Sequence, residues 1–389
     1  MKTKTWKINK LEKVCEILDN KRVPISQKDR IRGIYPYYGA SGIVDYIDRY
    51  IFDEELVLIG EDGAKWGAFE NSAFIASGKY WVNNHAHILK PNNETLINKF
   101  LVYFLNYSNL EKYITGATVK KLNQQKLKQI EIPLPPLQEQ ERIVGILDES
   151  FAKIDENIKI LEQDLLNLDE LMQSALQKAF NPLKDNAKEN YKLPQGWEWK
   201  SLDGIGEIIT GTTPSKNNPN FYGNEYPLFK PSDLNGDMII KFASDNLSKL
   251  GFDNARNLPK DTILVVCIGA SIGKVGLSGV SGSCNQQINA IVPNSTFASK
   301  YLFFVCLSNY FQEILKKNAS QTTLPIINKT EFSKLKIPLP PLQEQEQIAS
   351  HLDELSSHVK NLKQNYQAQI KNLQELKKSL LDKAFQGRL

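Results

Sequence analysis

No stretch of this 389-residue chain approaches the roughly 18 uncharged apolar residues that a membrane-spanning helix requires. The basic start, Met1-Lys2-Thr3-Lys4-Thr5-Trp6-Lys7, is not followed by the apolar core of a signal peptide. The sequence therefore predicts a cytoplasmic protein with no membrane partner. Cysteine is scarce: Cys15, Cys267, Cys284 and Cys306 are scattered, without the Cys-x-x-Cys pairs of a zinc site or the density of a secreted disulfide scaffold. Buried, reduced thiols are expected.

Motifs of catalysis are lacking too. Gly269-x-x-x-Gly273-Lys274 has one residue too few between its glycines for a phosphate loop, and Val275 stands where a Ser or Thr would hold magnesium. His85 and His87 alternate, which places them on one face of a strand, but no neighbouring Cys, Glu or third His completes a metal set, and no metal is expected. His351 and His358 lie one heptad apart, as on a solvated helix flank. Glu198-Trp-Lys200 matches part of a nuclease signature without a partner acid. There is no dinucleotide fingerprint and no Asn/Asp-Pro-Pro-aromatic motif of an amino-methyltransferase. No catalytic residue is assigned.

What the chain does have is a duplication. Ile132-Pro-Leu-Pro-Pro-Leu-Gln-Glu-Gln-Glu141 recurs unchanged as Ile337 to Glu346. The match continues through Leu147-Asp148-Glu149 and Leu352-Asp353-Glu354 to Ala179-Phe180 and Ala384-Phe385. Upstream, Leu11-x-x-Val14-x-Glu16-Ile17 resembles Leu202-x-x-Ile205-x-Glu207-Ile208 at a shorter offset, so the second copy has gained length in between. Pro133, Pro135 and Pro136 fix φ and remove backbone donors, which makes the motif a stiff extended connector. Good helix formers follow as far as Pro182, predicting a helix of about 40 residues that begins near Gln138.

Leu147, Phe151, Ile154, Ile158, Leu161, Leu165, Leu168, Met172, Ala175 and Ala179 are spaced by alternating fours and threes, a heptad seam. The second copy gives Leu352, Leu355, Val359, Leu362, Tyr366, Leu373, Leu376 and Leu380, interrupted at Gln369. A seam of about 55 to 60 Å, at about 1.5 Å per residue, outruns a small domain. The two helices are therefore expected to pack on each other as an antiparallel coiled coil, a spacer between two globular blocks.

At 41% apolar the chain can bury at least two cores. The predicted division is residues 1–138, a first globular block; 139–182, a central helix; 183–343, a second block; and 344–389, a C-terminal helix. Short apolar runs read as strands at Leu56–Gly60, Ala73–Ala76, His85–Leu89, Thr262–Ile268 and Ile288–Val292. Helices are predicted over Leu96–Leu105, Leu122–Ile130 and Lys300–Lys316, which makes both blocks α+β. Net charge is only +4, but it is uneven: 1–138 holds 20 Lys+Arg against 15 Asp+Glu, 139–180 holds 4 against 10, and 181–342 holds 17 against 13. Within the two basic blocks, glycines, aromatics, amides and lysines interleave in turns such as Tyr37-Tyr38-Gly39-Ala40, Gly60 to Gly67, Gly211 to Lys216 and Ser283 to Gln287. Lysines and backbone amides hold phosphates, while Asn, Gln and Arg pair with base edges.

Two blocks that each end in Ile-Pro-Leu-Pro-Pro-Leu-Gln-Glu-Gln and a long helix resemble the specificity subunit of type I restriction-modification systems. Tyr37-Tyr38-Gly39-Ala40, Gly60-Glu-Asp-Gly63, Ile268-Gly-Ala-Ser-Ile-Gly273 and the closing Ala-Phe of each helix carry the resemblance over essentially the whole chain. It implies two target-recognition domains related by pseudo-two-fold symmetry, each reading half of a bipartite sequence in double-stranded DNA, with the helices setting the unread gap. It also implies docking to two modification subunits and to restriction/translocase subunits. S-adenosylmethionine, ATP and magnesium are then expected on those partners and no cofactor on this chain. Candidate DNA contacts are Tyr38, Lys65, Trp66, Lys79, Asn83 and Asn84 in the first block, and Thr213, Lys216, Lys230, Ser271, Lys274 and Gln286 in the second. Leu147, Ile154, Ile158, Leu161, Leu165, Leu168, Leu352, Val359, Leu362, Tyr366, Leu373 and Leu380 are the candidate spacer or partner-binding residues. The rival readings are a self-contained DNA-modifying enzyme and a scaffold that joins protein partners through its coiled coil without DNA.

Overall fold

The computed structural model describes residues 6–180, 193–320 and 323–389. The boundary expected at 182/183 lies outside them. The chain forms two compact units, 1–162 with 367–389 and 163–366, so each unit takes in half of each long helix.

In the first unit, the continuous apolar run Leu56–Gly60 becomes the inner strand of a four-stranded antiparallel sheet, in the order Cys15–Ile17, Ala86–Pro91, Leu56–Gly60, Ala73–Ala76. Such a run is buried on both faces because successive side chains point to opposite sides. Val57, Ile59 and Leu89 pack on the helix Asn98–Tyr107 through Phe100, Leu101 and Leu105. Leu56, Leu58 and Ile88 face Tyr80, Val82 and Phe52 of a second sheet, ordered Gly42–Ile47, Arg32–Gly39, Lys79–Val82, Phe52–Asp53. The second sheet is closed by one parallel pairing, Tyr37 with Trp81 and Tyr38 with Val82.

The second unit repeats this plan. Its main sheet runs Ile208–Thr210, Ile288–Ile291, Ile263–Val266, Val275–Ser278, Ile239–Ile240. Asp245–Leu247, Tyr222–Phe229 and Ser283–Cys284 form the smaller sheet, again with a parallel pairing, Leu228 with Ser283 and Phe229 with Cys284. The run Lys300–Lys316 differs from expectation by forming two helices, Ser299–Leu307 and Asn309–Lys317. Ser308 is extended between them, and its hydroxyl accepts the Phe311 N–H as an N-cap, a role in which serine competes with helix continuation.

The proline motif performs the same task in both copies. Glu131–Leu134 pairs antiparallel with Lys7–Lys10, and Lys336–Leu339 with Glu198–Ser201; these are two-stranded ribbons, in which a proline's missing donor is tolerated. The fourth residue after each proline pair is a fully buried glutamine. Gln140 accepts the Ile97 N–H at 3.0 Å and donates to the carbonyls of Thr95 and Pro135 at 2.9 Å each. Gln345 accepts from Ala298 at 2.9 Å and donates to Pro340 at 2.8 Å. The repeated sequence is thus a clamp that sets the angle at which each long helix leaves its globular part.

Those helices are Leu137–Phe180 and Leu342–Phe385, 44 residues each. Within the first unit they run antiparallel: Lys377 pairs with Asp155 at 2.6 Å and lies 4.9 Å over the Phe151 ring, while Arg142 reaches the C-terminal Leu389 at 3.0 Å. Within the second unit Lys363 pairs with Asp169, and Ala175 and Ala179 share a groove with Ile348, Leu352 and Leu355. The closing Ala-Phe of each copy is a plug. Phe385 packs against Phe100, Phe104 and Tyr107, and Phe180 against Tyr301.

The first seam has Leu147, Ile154 and Leu168 buried, with Ile158, Leu161 and Leu165 half-buried. The second needs correction: Leu352 and Val359 are buried and Tyr366, Leu373 and Leu380 half-buried, but Leu362 is 40% exposed and Leu376 is 45% exposed. Lys363, Ile370 and Lys377 occupy the inward positions instead. Both lysines lay their alkyl stems along the seam and send their ammonium groups to aspartates, so a polar residue conceals the true stripe from a search for leucines.

Candidate nucleic-acid interface

Three loops converge at one end of the first unit: the turn after Tyr38, the segment 60–67, and the turn 83–85. Close approach requires Gly60, where a Cβ would lie 2.8 Å from the Ala40 carbonyl. Asn83 follows the parallel strand; its N–H bonds the Tyr38 carbonyl at 3.0 Å, and its side chain accepts the His85 N–H at 2.7 Å. Glu61 N–H bonds the His85 carbonyl at 2.8 Å, and the Asp62 carboxylate meets the His85 ring at 2.5 Å. Asn84 and Lys65 are exposed on these loops.

The other first-block candidates are placed differently. Trp66 is 6% exposed, and its indole N–H is bonded to the Gly60 carbonyl, so it supports the loop from inside. Asn83 is also 6% exposed and has its carboxamide oxygen committed to the turn. The Tyr38 ring packs between Phe74 and Tyr80, where burial pushes its hydroxyl above its ordinary pKa. Lys79 begins the strand that Asn83 follows and so stands at its other end; its ammonium lies 4.8 Å over the exposed Tyr50 ring, and the Tyr50 hydrogen bond raises its pKa.

In the second unit all six candidates fall on one cluster. Thr213 donates to the Gln286 carboxamide oxygen at 2.7 Å. Lys230 pairs with Asp245, whose carboxyl is held below its ordinary value first by that hydrogen bond and also by the charges of Lys230 and Lys216. Lys274 donates to the Pro231 carbonyl at 3.4 Å, and its own N–H bonds the Ser271 carbonyl. A Cβ at Gly211 would lie 2.2 Å from the carbonyls of Cys284 and Asn285, so only glycine lets these loops meet.

Sequence reading missed Arg22 and Arg256. Arg22 donates to the carbonyls of Asn84 at 3.3 Å and Ala86 at 2.9 Å and pairs with Glu61. Exposed Arg256 donates to the Thr210 carbonyl at 2.7 Å. The upstream match that puts Ile17 on Ile208 also puts Arg22 on Thr213, and each faces the corresponding turn of its own unit.

The histidine reading is corrected as well. His85 precedes the strand Ala86–Pro91 and is exposed, whereas His87 lies within it, buried and 2.6 Å from both Asp19 and the Leu122 carbonyl. Folding brings Asp19 and Glu61 to His87, a grouping sequence spacing does not reveal. Their oxygens already serve other donors. Ile88 N–H and Gln124 bond Asp19, while Arg22 and Lys121 pair with Glu61. For both carboxyls burial raises the pKa, but it is outweighed: His87, Ile88 and Arg22 hold Asp19 low, and Lys121, Arg22 and His87 hold Glu61 low. A cation would have to displace partners that are built in. The four cysteines are all buried, and burial pushes Cys15, Cys267 and Cys284 up to about 12. No helix among the described residues is long and apolar enough to cross a membrane.

The family model for the type I restriction modification DNA specificity domain matches residues 3–163 and 194–372. A type I restriction enzyme specificity subunit assigned in Haemophilus influenzae is 30% identical over 357 residues, covering 90% of this chain and 87% of the relative. The EcoDI specificity subunit of Escherichia coli is 23% identical over 384 residues, covering 92% and 83%. Among solved structures, a chain from work on assembly and conformational transition of the type I R-M system superposes with a TM-score of 0.74 at 21% identity, covering 99% of each chain. The HsdS subunit of Thermoanaerobacter tengcongensis gives 0.58 at 21%, covering 99% and 98%. Repeated clamp, repeated loops and a family match over both halves agree, and the chain belongs to the type I restriction-modification specificity subunits.

Proposed function

We propose that this chain is the DNA-reading subunit of a cytoplasmic type I restriction-modification complex and does no chemistry itself. Residues 1–138 and 183–343 each read one half of a bipartite target, and the helices at 139–182 and 344–389 set the unread gap. Methyl transfer from S-adenosylmethionine and ATP-driven steps belong to modification and restriction/translocase subunits that dock on it.

One observation carries this reading. Both units build the same loops on the same register yet dress them differently: Asn84, His85 and Lys65 in one, Gln286, Lys216, Lys230 and Lys274 in the other. Two unlike half-sites call for one scaffold carrying two sets of contacts. We assign base or phosphate contact to Lys65 and Asn84, and to Thr213, Lys216, Lys230, Ser271, Lys274 and Gln286. Trp66, Asn83 and the Tyr38 ring shape the loop from beneath, and Lys79 stands at the far end of the strand that leads to it.

The test is to co-express the chain with its modification subunits and map methyladenine in the host DNA. One bipartite motif with a fixed gap, present only with this chain, supports the reading. Unchanged methylation in an assembled complex would favour a scaffold instead.

A further inference from the structure

The strongest unassigned feature is a correspondence between two exposed amides. In the first unit Asn83 N–H bonds the Tyr38 carbonyl at 3.0 Å; in the second, Asn285 N–H bonds the Phe229 carbonyl at 3.0 Å. Each of these asparagines then closes a two-residue turn, Asn83 accepting from His85 at 2.7 Å and Asn285 from Gln287 at 3.1 Å. Each turn is pinned from the other side by the next loop, Glu61 N–H to the His85 carbonyl and Cys267 N–H to the Gln287 carbonyl, both at 2.8 Å. Three matching bonds fix residue-by-residue equivalence and place Asn84 on Gln286.

Both residues are exposed in turns whose ends are buried: Asn83 is 6% exposed and Asn285 8%, and Ala86 and Ile288 are fully buried, with exposed His85 and half-buried Gln287 between. Each is therefore a protruding amide on a backbone that its own unit holds in place. Each is also contacted from the same position, at different atoms: the Arg22 guanidinium donates to the Asn84 main-chain carbonyl and the Thr213 hydroxyl to the Gln286 side-chain oxygen. The Gln286 oxygen has a second lone pair, so it still accepts. A side-chain amide offers one donor and one acceptor side by side, the pair that matches N7 and the N6 amino group of adenine in the major groove.

We infer that Asn84 and Gln286 are the corresponding base-reading residues of the two halves, each recognising one A·T pair at the same distance from the methylated base of its half-site. The inference rests on the DNA-reading function proposed above and adds to it the residue, the base pair and its position. Because the units differ in most other loop residues, these two positions would be where the two half-sites are read by one geometry.

Asn84→Ala and Gln286→Ala, each in the full chain co-expressed with the modification subunits, test it by methyladenine sequencing. Expected is loss of discrimination by about 5- to 150-fold at a single A·T pair. Asn84→Ala acts in one half and Gln286→Ala in the other, at equal separation from the methylated adenine. An unchanged motif, relaxation at a G·C pair, two changes in one half or unequal separations would each overturn it. If a variant methylates nothing, binding of duplexes substituted one pair at a time decides. Lost discrimination at one A·T pair supports the inference, and uniform weakening refutes it. If the wild-type chain yields no bipartite motif, the DNA-reading function itself has failed, which separates the two conclusions.

Discussion

His87 Nδ1 lies 2.6 Å from the Asp19 carboxylate, at the place where Asn289 meets the Thr210 hydroxyl at 2.6 Å in the second unit. The pairing is not incidental, because the strand registers align His87 with Asn289 through Ile59 and Val265, and Leu89 with Ile291 through Ile17 and Ile208. Glu61 and Cys267 complete the two sets, each donating its N–H to the matching turn. One fold therefore holds two carboxyls and a histidine in its first copy and threonine, asparagine and cysteine in its second, at the base of the same loops.

That equivalence predicts an asymmetry in mutational cost. Removing a buried hydrogen-bond partner leaves the groups it served unsatisfied, so His87→Ala, which strands Asp19 and the Leu122 carbonyl, should destabilise the first unit by about 1 to 3 kcal/mol. Transplanting the second unit's solution, Asp19→Thr with Arg22→Thr, Glu61→Cys and His87→Asn, leaves no charge unpaired at those four positions and should cost less than His87→Ala alone. Chemical denaturation of the three proteins measures both. A quadruple variant less stable than the single one would show that the neutral trio depends on its own surroundings.

Acid should separate the two units. Asp19 and Glu61 are held below their ordinary values of 3.8 and 4.5, and a depressed carboxyl contributes stability that is present above those values and lost as pH falls through the folded one. Thr210 and Cys267 carry no such dependence. Below about pH 4, the Leu122 amide, bonded to the Glu61 carbonyl, should lose hydrogen-exchange protection relative to the equivalent Ile327 amide, bonded to Cys267. Equal loss at both positions would mean the trio does not govern the acid response.

Much of this was legible in the sequence, and what was not has physical causes. The continuous run Leu56–Gly60 and the repeated proline motif each fit one local structure, so the strand and the helix start fell where expected. The break at Ser308 escaped because an N-cap hydrogen bond leaves no mark on hydrophobic spacing. The slip from Leu362 and Leu376 to Lys363, Ile370 and Lys377 escaped because buried lysine stems look polar in a one-dimensional pattern. None of the second unit's candidates is buried, whereas two of the first unit's are. Three of the second unit's candidates are lysines, whose charged ends seek water, whereas Trp66 and Asn83 are types that serve a loop equally well from beneath, and sequence cannot tell inside from outside.

The clamp should be worth more than its composition suggests. Replacing Gln140 with Ala leaves the Ile97 N–H and the Thr95 and Pro135 carbonyls to find new partners in a buried place, a loss of about 2 to 3 kcal/mol. The neighbouring exposed Gln138→Ala should change stability by less than about 0.5 kcal/mol. Equal effects would show that burial of Gln140 carries no weight.

Lys65 and Trp66, adjacent in sequence, should fail in opposite ways. Lys65 is exposed, so Lys65→Ala should leave thermal unfolding unchanged while weakening DNA binding and lowering the slope of log affinity against log salt by about one. Trp66 sits in the core with its indole bonded to Gly60, so Trp66→Ala should cost about 3 to 5 kcal/mol and remove the support beneath the loop. Trp66→Phe, which keeps most of the volume and loses the hydrogen bond, should recover most of that stability, and target discrimination should return with it. If Trp66→Phe were stable yet bound DNA as poorly as Lys65→Ala, the indole would be a direct contact and the loop would have to open to present it.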